Sequence, residues 1–346
     1  MSVQLKPSQL DALVFEMIKA QLPFIVTGKP GIGKTSIIKQ AAKRAGFRVI
    51  VSTPAIDDPT DGKGIPWGDK NGNVAFRPIG LVAEVLASTV PTLWFLDDFG
   101  QAGTATQAAY MPWLLGRECA GHRLPDCVSI CAGTNARTHK AGVGGLLEPV
   151  KSRFATIVEL VEDVDEWCAW AVQQTWMPPL VVAYMRFSRD SLCRFEPSAD
   201  LVNCPLPRTW ENAGRVFNLD LPRAVQAASV AGAVGEGEAT KFLGFADMFR
   251  QLPSIDGILL NPDTAPIPAD LGALYAVVTG LAAVTNENNL GRVVVYLQRL
   301  ADENRGDFAA LAVQDASRRN QAIQQTPDFV RMMSGPIGQL VSGVVN

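Results

Sequence analysis

The sequence predicts an α/β protein whose first part holds a parallel five-stranded sheet flanked by helices and whose remainder is helical. Short apolar runs alternate with helix-like segments over about 140 residues, as in strands joined by crossover helices. After residue 160 the apolar residues recur at helical spacing, and runs rich in valine and isoleucine become rare. A chain of 346 residues is long enough for about two domains.

The predicted elements follow one another in a regular order. An amphipathic helix over 7–22 ends at Pro23, and the apolar run after it leads directly into glycines. Residues 53–80 are rich in proline, glycine and aspartate, and predict a long ordered loop or a small hairpin insertion. Residues 116–125 predict a turn or hairpin. The other predicted helices are 34–44, 80–89 and 107–115, and the predicted strands are 24–27, 47–52, 93–96, 128–132 and 155–160.

The change of pattern after residue 160 predicts a domain boundary. We expect an α/β core over 1–160, a first helical region over 161–235 and a helical C-terminal extension over 236–346. The glycine-bearing stretch 231–238 suggests a linker between the two helical regions, and 330–345 suggests a tail that faces a partner.

The helical part also contains a group of tryptophans. We expect them to pack its core, because base stacking would require basic residues around them. These residues are Trp167, Trp170, Trp176 and Trp210.

Composition and charge exclude several functional classes. The formal net charge is −3, which does not support a basic face for nucleic acid. The six cysteines form no C-x-x-C pair, and His122 and His139 are not at zinc-ligand spacing. Asp11 and Glu16 interrupt the apolar residues near the N-terminus, and the weakly polar run 271–285 is too short for a membrane span. We therefore expect a soluble, cytoplasmic protein with free thiols and no membrane partner.

The strongest motif lies between the first predicted strand and the next helix. Residues 28–35 match the pattern G-x-x-x-x-G-K-S/T. Glycines allow the turn whose backbone N–H groups cradle phosphate oxygens, and the helix start adds positive potential. Lys34 would reach the β and γ phosphates of ATP, and the Thr35 hydroxyl would bind Mg²⁺. The predicted nucleotide-binding residues are Gly28, Pro30, Gly31, Ile32, Gly33, Lys34, Thr35 and Ser36.

A second motif ends the predicted strand 93–96. Asp97 and Asp98 follow this apolar run directly. A buried strand would deliver Asp97 to the phosphate end of the sheet, where its carboxylate can hold Mg²⁺. Asp98, one residue further, is placed to polarise the attacking water. The alternative is a strand that ends in a solvated acidic turn.

With these motifs in place, the chain resembles the AAA+ ATPases, and among them the MoxR-like group. The first two motifs, which correspond to Walker A and Walker B, are shared by many P-loop ATPases, whereas the ordered set is more specific. The further segments that carry the resemblance are 106–115, 121–126, 132–135, 147–154 and 207–210. In this comparison 161–235 corresponds to the helical lid.

The resemblance implies roles for three polar residues. Asn135 matches the sensor-1 residue that holds the attacking water or the γ phosphate, and its alternative is an ordinary turn asparagine. Arg153 matches the arginine finger offered to the neighbouring subunit's nucleotide, with Arg137 a weaker rival and a surface salt bridge the alternative. Arg208 matches the sensor-2 arginine of the lid, although it could also pair with Glu211 three residues later.

The sequence departs from the family pattern at Asp98, where AAA+ proteins usually have glutamate. Aspartate is one methylene shorter, so hydrolysis is expected to be slow or partner-dependent while ATP binding is unaffected. In AAA+ machines, loops near the segment 116–126 can face a central pore. Trp113, His122 and Arg123 are therefore candidates for contacting a polypeptide, and a packed connecting hairpin is the alternative.

The resemblance implies a hexameric homo-oligomer that couples ATP binding and hydrolysis to remodelling of a protein client. It also implies a partner that carries a von Willebrand factor A domain. Two alternatives stay open, a nucleic-acid motor or loader and a nucleotide-dependent switch that scarcely turns over. A small-molecule kinase is less favoured, because it would not require the sensor and finger positions and no separate acceptor site is evident.

Overall fold

A computed structural model describes residues 3–68, 70–135, 145–198, 200–249 and 254–343. Its internal contacts divide the chain into two compact units. The first unit comprises residues 1–163, and the second comprises residues 164–346.

The first unit alternates strands and helices, as the sequence predicts. Its strands are β1 (Val3–Leu5), β2 (Phe24–Gly28), β3 (Arg48–Ser52), β4 (Ile65–Gly68), β5 (Val74–Arg77), β6 (Thr92–Leu96), β7 (Glu118–Cys119), β8 (His122–Arg123), β9 (Val128–Gly133) and β10 (Thr156–Leu160). Its helices are α1 (Pro7–Lys19), α2 (Lys34–Arg44), α3 (Pro59–Lys63), α4 (Gly80–Leu86), α5 (Thr104–Leu115) and α6 (Glu148–Lys151).

The main sheet contains six parallel strands in the order β1-β10-β2-β9-β6-β3. Its inner strands are buried on both faces, and every residue of β6 is inaccessible to solvent. This burial explains why β6 is a continuous apolar run rather than an alternating one. Two hydrophobic clusters lie on the sheet, one formed with α1 and α2 and the other with α4 and α5. The predicted α/β class is therefore confirmed.

The sheet has one strand more than the five predicted. The additional strand, β1, is three residues long and pairs with β10 at the edge of the sheet. Two hairpins lie outside the main sheet. Strands β4 and β5 pair within the 53–80 insertion, and β7 and β8 pair within 116–125, so both hairpin predictions are confirmed.

In the second unit, the regular secondary structure of the described residues is entirely helical. Its helices are α7 (Val164–Ala171), α8 (Pro179–Phe187), α9 (Pro207–Phe217), α10 (Arg223–Val234), α11 (Glu236–Phe249), α12 (Ile255–Leu260), α13 (Leu271–Val284), α14 (Leu290–Asp302), α15 (Gly306–Arg319), α16 (Pro327–Met333) and α17 (Pro336–Gly343).

One hydrophobic cluster of this unit joins helices α7 to α11. Trp167 and Trp210 are buried in it, while Trp170 and Trp176 pack against it half-buried. The prediction that the four tryptophans pack the core of the helical part is therefore confirmed. Tight ring contacts continue through the cluster, such as the edge-on packing of Trp210 against Phe242.

One expectation for the helical part is wrong, and another stays a prediction. The stretch 231–238 is not a linker, because Gly235 alone separates α10 from α11 and its φ of +84° breaks the helix there. Within the stretch 330–345, the described residues lie mostly in α16 and α17, and Met332 and Ile337 are buried in a second cluster with α13, α14 and α15. A partner-facing role for this stretch stays a prediction. The division into a lid and an extension stays a prediction.

Among the described residues, no helix is both long enough and apolar enough to cross a membrane. The 271–285 run forms α13, which is 14 residues long and mostly buried.

Candidate nucleotide-binding site

The candidate site lies where the strands of the main sheet end. Strand β2 runs between β10 and β9, and its last residue, Gly28, begins the phosphate loop. Asp97 follows β6, and Asn135 lies two residues after β9. Because parallel strands end at one edge of a sheet, residues far apart in the sequence meet there.

Two glycines of the loop are required by its backbone. At Gly28 a Cβ atom would lie 2.9 Å from the carbonyl oxygen of Leu160 on the neighbouring strand. Gly33 has φ +111° and directly precedes α2, so the loop turns into the helix through a conformation that side chains disfavour. The start of α2 therefore faces the loop, and the first backbone N–H groups of a helix are groups that bind anions.

Lys34 is the first residue of α2, and its side chain is directed into the site. It is only 7% exposed. Its ammonium donates to the carbonyl oxygens of Gly28 and Lys29, each at 3.0 Å, and to Asn135 Oδ1 at 2.8 Å. An ammonium has three N–H donors, and these three acceptors are all neutral. These acceptors offer dipoles to the ammonium, and the charged oxygens of a phosphate would bind it more strongly.

Thr35 and Asp97 form the second contact of the site. The Thr35 hydroxyl donates to Asp97 Oδ2 at 2.9 Å. Neighbouring ligands of an octahedral Mg²⁺ lie about 2.9 Å apart, since each is about 2.0–2.1 Å from the ion. The two oxygens therefore fit adjacent positions around this cation, and phosphate and water oxygens would complete the set.

Close approach to Asp97 also explains a glycine that the sequence prediction did not single out. At Gly133 a Cβ atom would lie 3.2 Å from Asp97 Oδ1 and 3.0 Å from the ring of Phe95. A side chain there would crowd both the carboxylate and the ring. Its position one residue past the predicted strand 128–132 was the available signal.

Asp98 has an unusual backbone. Its φ and ψ are 53° and 31°, in the left-handed helical region, and its N–H donates to Asp97 Oδ1 at 3.1 Å. Aspartate tolerates this region better than most residues with a side chain. The backbone thus offers a structural reason for aspartate where the resembled family has glutamate. Phe99, the next residue, is fully buried.

Arg153 lies in the turn after α6. Within the described residues, its guanidinium donates to the Pro149 carbonyl and forms no ion pair. The next residue, Phe154, packs edge-on against Phe99 with ring centroids 6.3 Å apart. The Arg153 turn and the Asp98 turn are therefore connected through two buried rings. The rival Arg137 lies outside the described residues.

Arg208 belongs to the second unit, in the first turn of α9, and its side chain is exposed. Its pairing with Glu211 was a structural alternative. This alternative is wrong, because among the described residues Glu211 pairs with Arg215 at 3.0 Å and forms no ion pair with Arg208. Arg215 also lies over the ring of Trp176, 3.8 Å from its centroid.

Sequence reasoning missed a charged pair at the loop. Lys29 Nζ lies 2.6 Å from Glu162 Oε1. Glu162 follows β10 by two residues, and β10 pairs with β2 so that Leu160 is opposite Gly28. The pairing depends on this register, which the sequence pattern does not specify.

The buried thiol under the site is not a nucleophile. Burial raises the pKa of Cys131 well above its ordinary value, and the negative charge of Asp97 raises it further. The thiol therefore stays protonated near neutral pH.

The candidate pore residues separate into two groups. Trp113 is buried and donates to the Gly62 carbonyl at 2.7 Å, so the expectation that it contacts a polypeptide is wrong. His122 Nε2 donates to the Phe76 carbonyl at 2.7 Å and so connects the two hairpins. Arg123 is exposed, and its role stays a prediction.

Across the described part of the chain, no group of three or more His, Cys, Asp or Glu side chains is arranged to hold a metal ion. The Thr35–Asp97 pair requires phosphate and water oxygens to complete its coordination.

Comparison with known proteins gives matches only among solved structures. No protein-family model matches the sequence, and no curated protein matches it. The chain is similar to NtrX from Brucella abortus in complex with ADP, with 14% identity, a TM-score of 0.41, and coverage of 96% of this chain and 68% of that chain. It is also similar to the RuvB Holliday junction branch migration motor from Thermotoga maritima, with 13% identity, a TM-score of 0.35, and coverage of 94% and 86%. These values are too low to carry an argument, so the proposals below depend on the site itself.

Proposed function

We propose that this chain binds ATP together with Mg²⁺ and hydrolyses it. The observation that carries the proposal is the convergence of four residues at the carboxyl end of the sheet. Lys34 contacts Asn135, and Thr35 contacts Asp97. A phosphate-binding lysine, two candidate Mg²⁺ ligands and a polar amide therefore lie next to one another, as phosphoryl transfer requires.

The phosphate loop would bind the anionic part of the nucleotide. Its backbone N–H groups and the start of α2 supply fixed partial charges, and Lys34 supplies a full positive charge. Thr35 and Asp97 would hold Mg²⁺, which when bound neutralises charge on the phosphate oxygens. Lys34 would exchange at least one of its three neutral acceptors for a phosphate oxygen.

Asp98 and Asn135 would position the attacking water. Asp98 carries the carboxylate that accepts a proton from water, and the Asn135 amide is already fixed by Lys34. Arg208, exposed at the start of α9, would contact the γ phosphate from the same subunit.

We further propose that the active chain is a MoxR-like AAA+ ring in which Arg153 completes the site of the neighbouring subunit. The ordered set of motifs supports this assignment. The guanidinium of Arg153 forms no ion pair among the described residues, which leaves its charge available to an anion. Hydrolysis in this ring, a hexamer by resemblance, would drive remodelling of a protein client, with a von Willebrand factor A domain protein as the partner.

The first experiment is the specific ATPase activity as a function of protein concentration, with Mg²⁺ and no partner. A rise with concentration is expected, because sites would be completed between subunits, and Arg153→Ala should abolish it. A flat, measurable rate from a species that sizing shows to be monomeric would contradict the shared site. Failure to bind ATP at all would contradict the whole proposal.

A second candidate is a nucleotide-dependent switch that binds ATP and turns over slowly. The left-handed backbone of Asp98 favours this candidate. Aspartate tolerates that backbone better than most residues, so its presence at this position is explained by the fold and not by a requirement of fast hydrolysis. Asp98→Glu should then raise the turnover number while leaving ATP affinity unchanged. An unchanged turnover number would count against this explanation of slow hydrolysis.

A further inference from the structure

The ion pair between Lys29 and Glu162 places a carboxylate beside a loop that is built to bind anions. Glu162 lies two residues beyond Leu160, which is paired with Gly28 in the sheet. The two side chains are partly buried, with 31% of Lys29 and 27% of Glu162 exposed. A carboxylate at this edge would repel phosphate unless a cation neutralised it, and Lys29 lies 2.6 Å away.

Lys29 participates in the loop through two different groups. Its carbonyl oxygen accepts from Lys34 Nζ at 3.0 Å, while its own ammonium contacts Glu162. The loop therefore contains two lysines that differ in their partners. Lys34 is held by neutral acceptors, whereas the charge of Lys29 is balanced by a carboxylate.

The residue after Glu162 provides a natural comparison. Asp163 pairs with Lys6 at 2.8 Å, and Lys6 lies directly after β1 at the edge of the sheet. The two acids are neighbours in one segment. Glu162 forms an ion pair with the phosphate loop, and Asp163 forms one with the residue after the N-terminal strand.

We propose that Glu162 lowers the affinity of the site for nucleotides by neutralising Lys29. This inference rests on the proposed nucleotide site and adds a regulatory residue to it. With the pair intact, the charges of Lys29 and Glu162 beside the loop sum to zero. Loss of the Glu162 carboxylate makes this net charge more positive by one, and loss of the Lys29 ammonium makes it more negative by one. Glu162 is thus a positioning and charge-setting residue, not a catalytic one.

The test is the dissociation constant of Mg²⁺-ATP measured by calorimetry for four variants and the wild type. Glu162→Gln should bind about five- to tenfold more tightly, and Lys29→Met should bind more weakly by a similar factor. The double variant Lys29→Met/Glu162→Gln should return close to wild-type affinity, because it is neutral again. Asp163→Asn, the matched control, should stay within about twofold.

Ionic strength supplies a second readout that a purely structural role would not change. The difference between Glu162→Gln and wild type should shrink as salt rises from low to about 0.5 M, because the released charge is screened. The double variant should show no such dependence relative to wild type.

Several outcomes would overturn the inference. Weaker binding by both single variants and by the double variant would mean that the pair only holds the loop in shape. Equal affinities for all variants would mean that Lys29 does not act on the phosphates. A wild-type protein that fails to bind ATP would instead refute the proposed function, so the two failures are distinguishable.

Discussion

Each unit contains a buried positive charge, and the two charges are held in opposite ways. In the first unit, Lys34 donates to two backbone carbonyls and one side-chain amide, all of them neutral. In the second unit, Arg186 donates two hydrogen bonds to the Asp315 carboxylate, at 2.6 and 2.9 Å. Both cations are nearly inaccessible to solvent.

The difference shows which buried charge is available for chemistry. Burial alone disfavours the charged form of Arg186, but the Asp315 carboxylate outweighs it, so the pKa of Arg186 is raised. That charge is already balanced, and an incoming anion would gain little. The three acceptors described for Lys34 are neutral, and an anion that replaces one of them gains electrostatic energy. The charge of its partners, rather than its burial, therefore distinguishes a cation in a binding site from one in a structural ion pair.

The largest effect is expected where the balanced pair is broken. Arg186→Met should reduce the free energy of unfolding of the second unit by about 3 kcal/mol, because the buried Asp315 then keeps only Arg318, 3.6 Å away and partly exposed, as a charged partner. Urea unfolding would measure this change. Arg189→Met is the matched control, since Arg189 also donates two hydrogen bonds to a carboxylate, that of Asp165, but at the surface. It should cost about 1 kcal/mol or less, and equal losses would undermine the comparison.

The next effect concerns the charge with neutral partners. Lys34→Met should reduce ATP turnover by at least about 100-fold. Its cost in unfolding free energy should be smaller than that of Arg186→Met, because the acceptors described for Lys34 are carbonyl and amide oxygens rather than a buried carboxylate. Steady-state ATPase assays and thermal unfolding would be compared on the same samples. Lys39→Met, at an exposed position of the same helix, serves as the control. A large loss of stability in Lys34→Met would show that this lysine belongs to the scaffold.

A smaller effect is expected from Arg208. Because its side chain is exposed and its charge is screened, Arg208→Ala should lower the turnover number by about tenfold, less than the loss of Lys34. Stability should not change. Arg215→Ala on the same helix should retain turnover but lose some stability, since Arg215 pairs with Glu211 and covers Trp176. Equal turnover numbers for Arg208→Ala and Arg215→Ala would contradict the proposed role of Arg208.

The smallest effect is a pH dependence of opposite sign in the two units. Burial raises the pKa of Glu238, but hydrogen bonds from Ser191 and Tyr184 and the charges of Lys241 and Arg194 bring it below its ordinary value of 4.5. This group therefore stabilises the fold above pH 4.5, and the contribution is lost as pH falls through the lowered pKa.

In the first unit, burial raises the pKa of Asp57 above 3.8, although the Tyr110 hydroxyl opposes the shift. Its favourable contribution is present below pH 3.8 and is lost as pH rises through the raised pKa. Thermal midpoints between about pH 3 and pH 7 would test both signs. The penalty of Glu238→Gln should grow with pH, whereas Asp57→Asn should gain relative to wild type, and parallel curves would refute the assignment.

Much of the first unit could be predicted because its signals are local. The apolar run of β6, the glycines before α2 and the proline- and glycine-rich insertion each specify an element over a few residues. The edge strand β1 could not be predicted, since three residues carry no period and its stability comes from pairing with β10. The pairing of Lys29 with Glu162 likewise depends on strand register.

The site could be predicted in its residues but not in its contacts. Lys34, Thr35 and Asp97 follow from motifs, while the contact between Lys34 and Asn135 requires the order of β2 and β9 in the sheet. Trp113 was misassigned because a tryptophan next to a hairpin carries no mark of burial. Trp113 is buried against the 53–80 insertion, where the Gly62 carbonyl accepts a hydrogen bond from its indole N–H.

The position of β2 has a consequence for how the chain is made. Its two neighbours are β9 and β10, the last strands of the first unit to leave the ribosome. The Thr27 hydroxyl, for example, donates to the carbonyl of Val158, 131 residues away. Pairing over such long separations is slow to form, because the intervening loop must be closed first. The phosphate loop, although it begins at residue 28, is therefore among the last parts of the unit to take shape during synthesis, and a nascent chain that ends before β9 has none of the strand pairing that holds it.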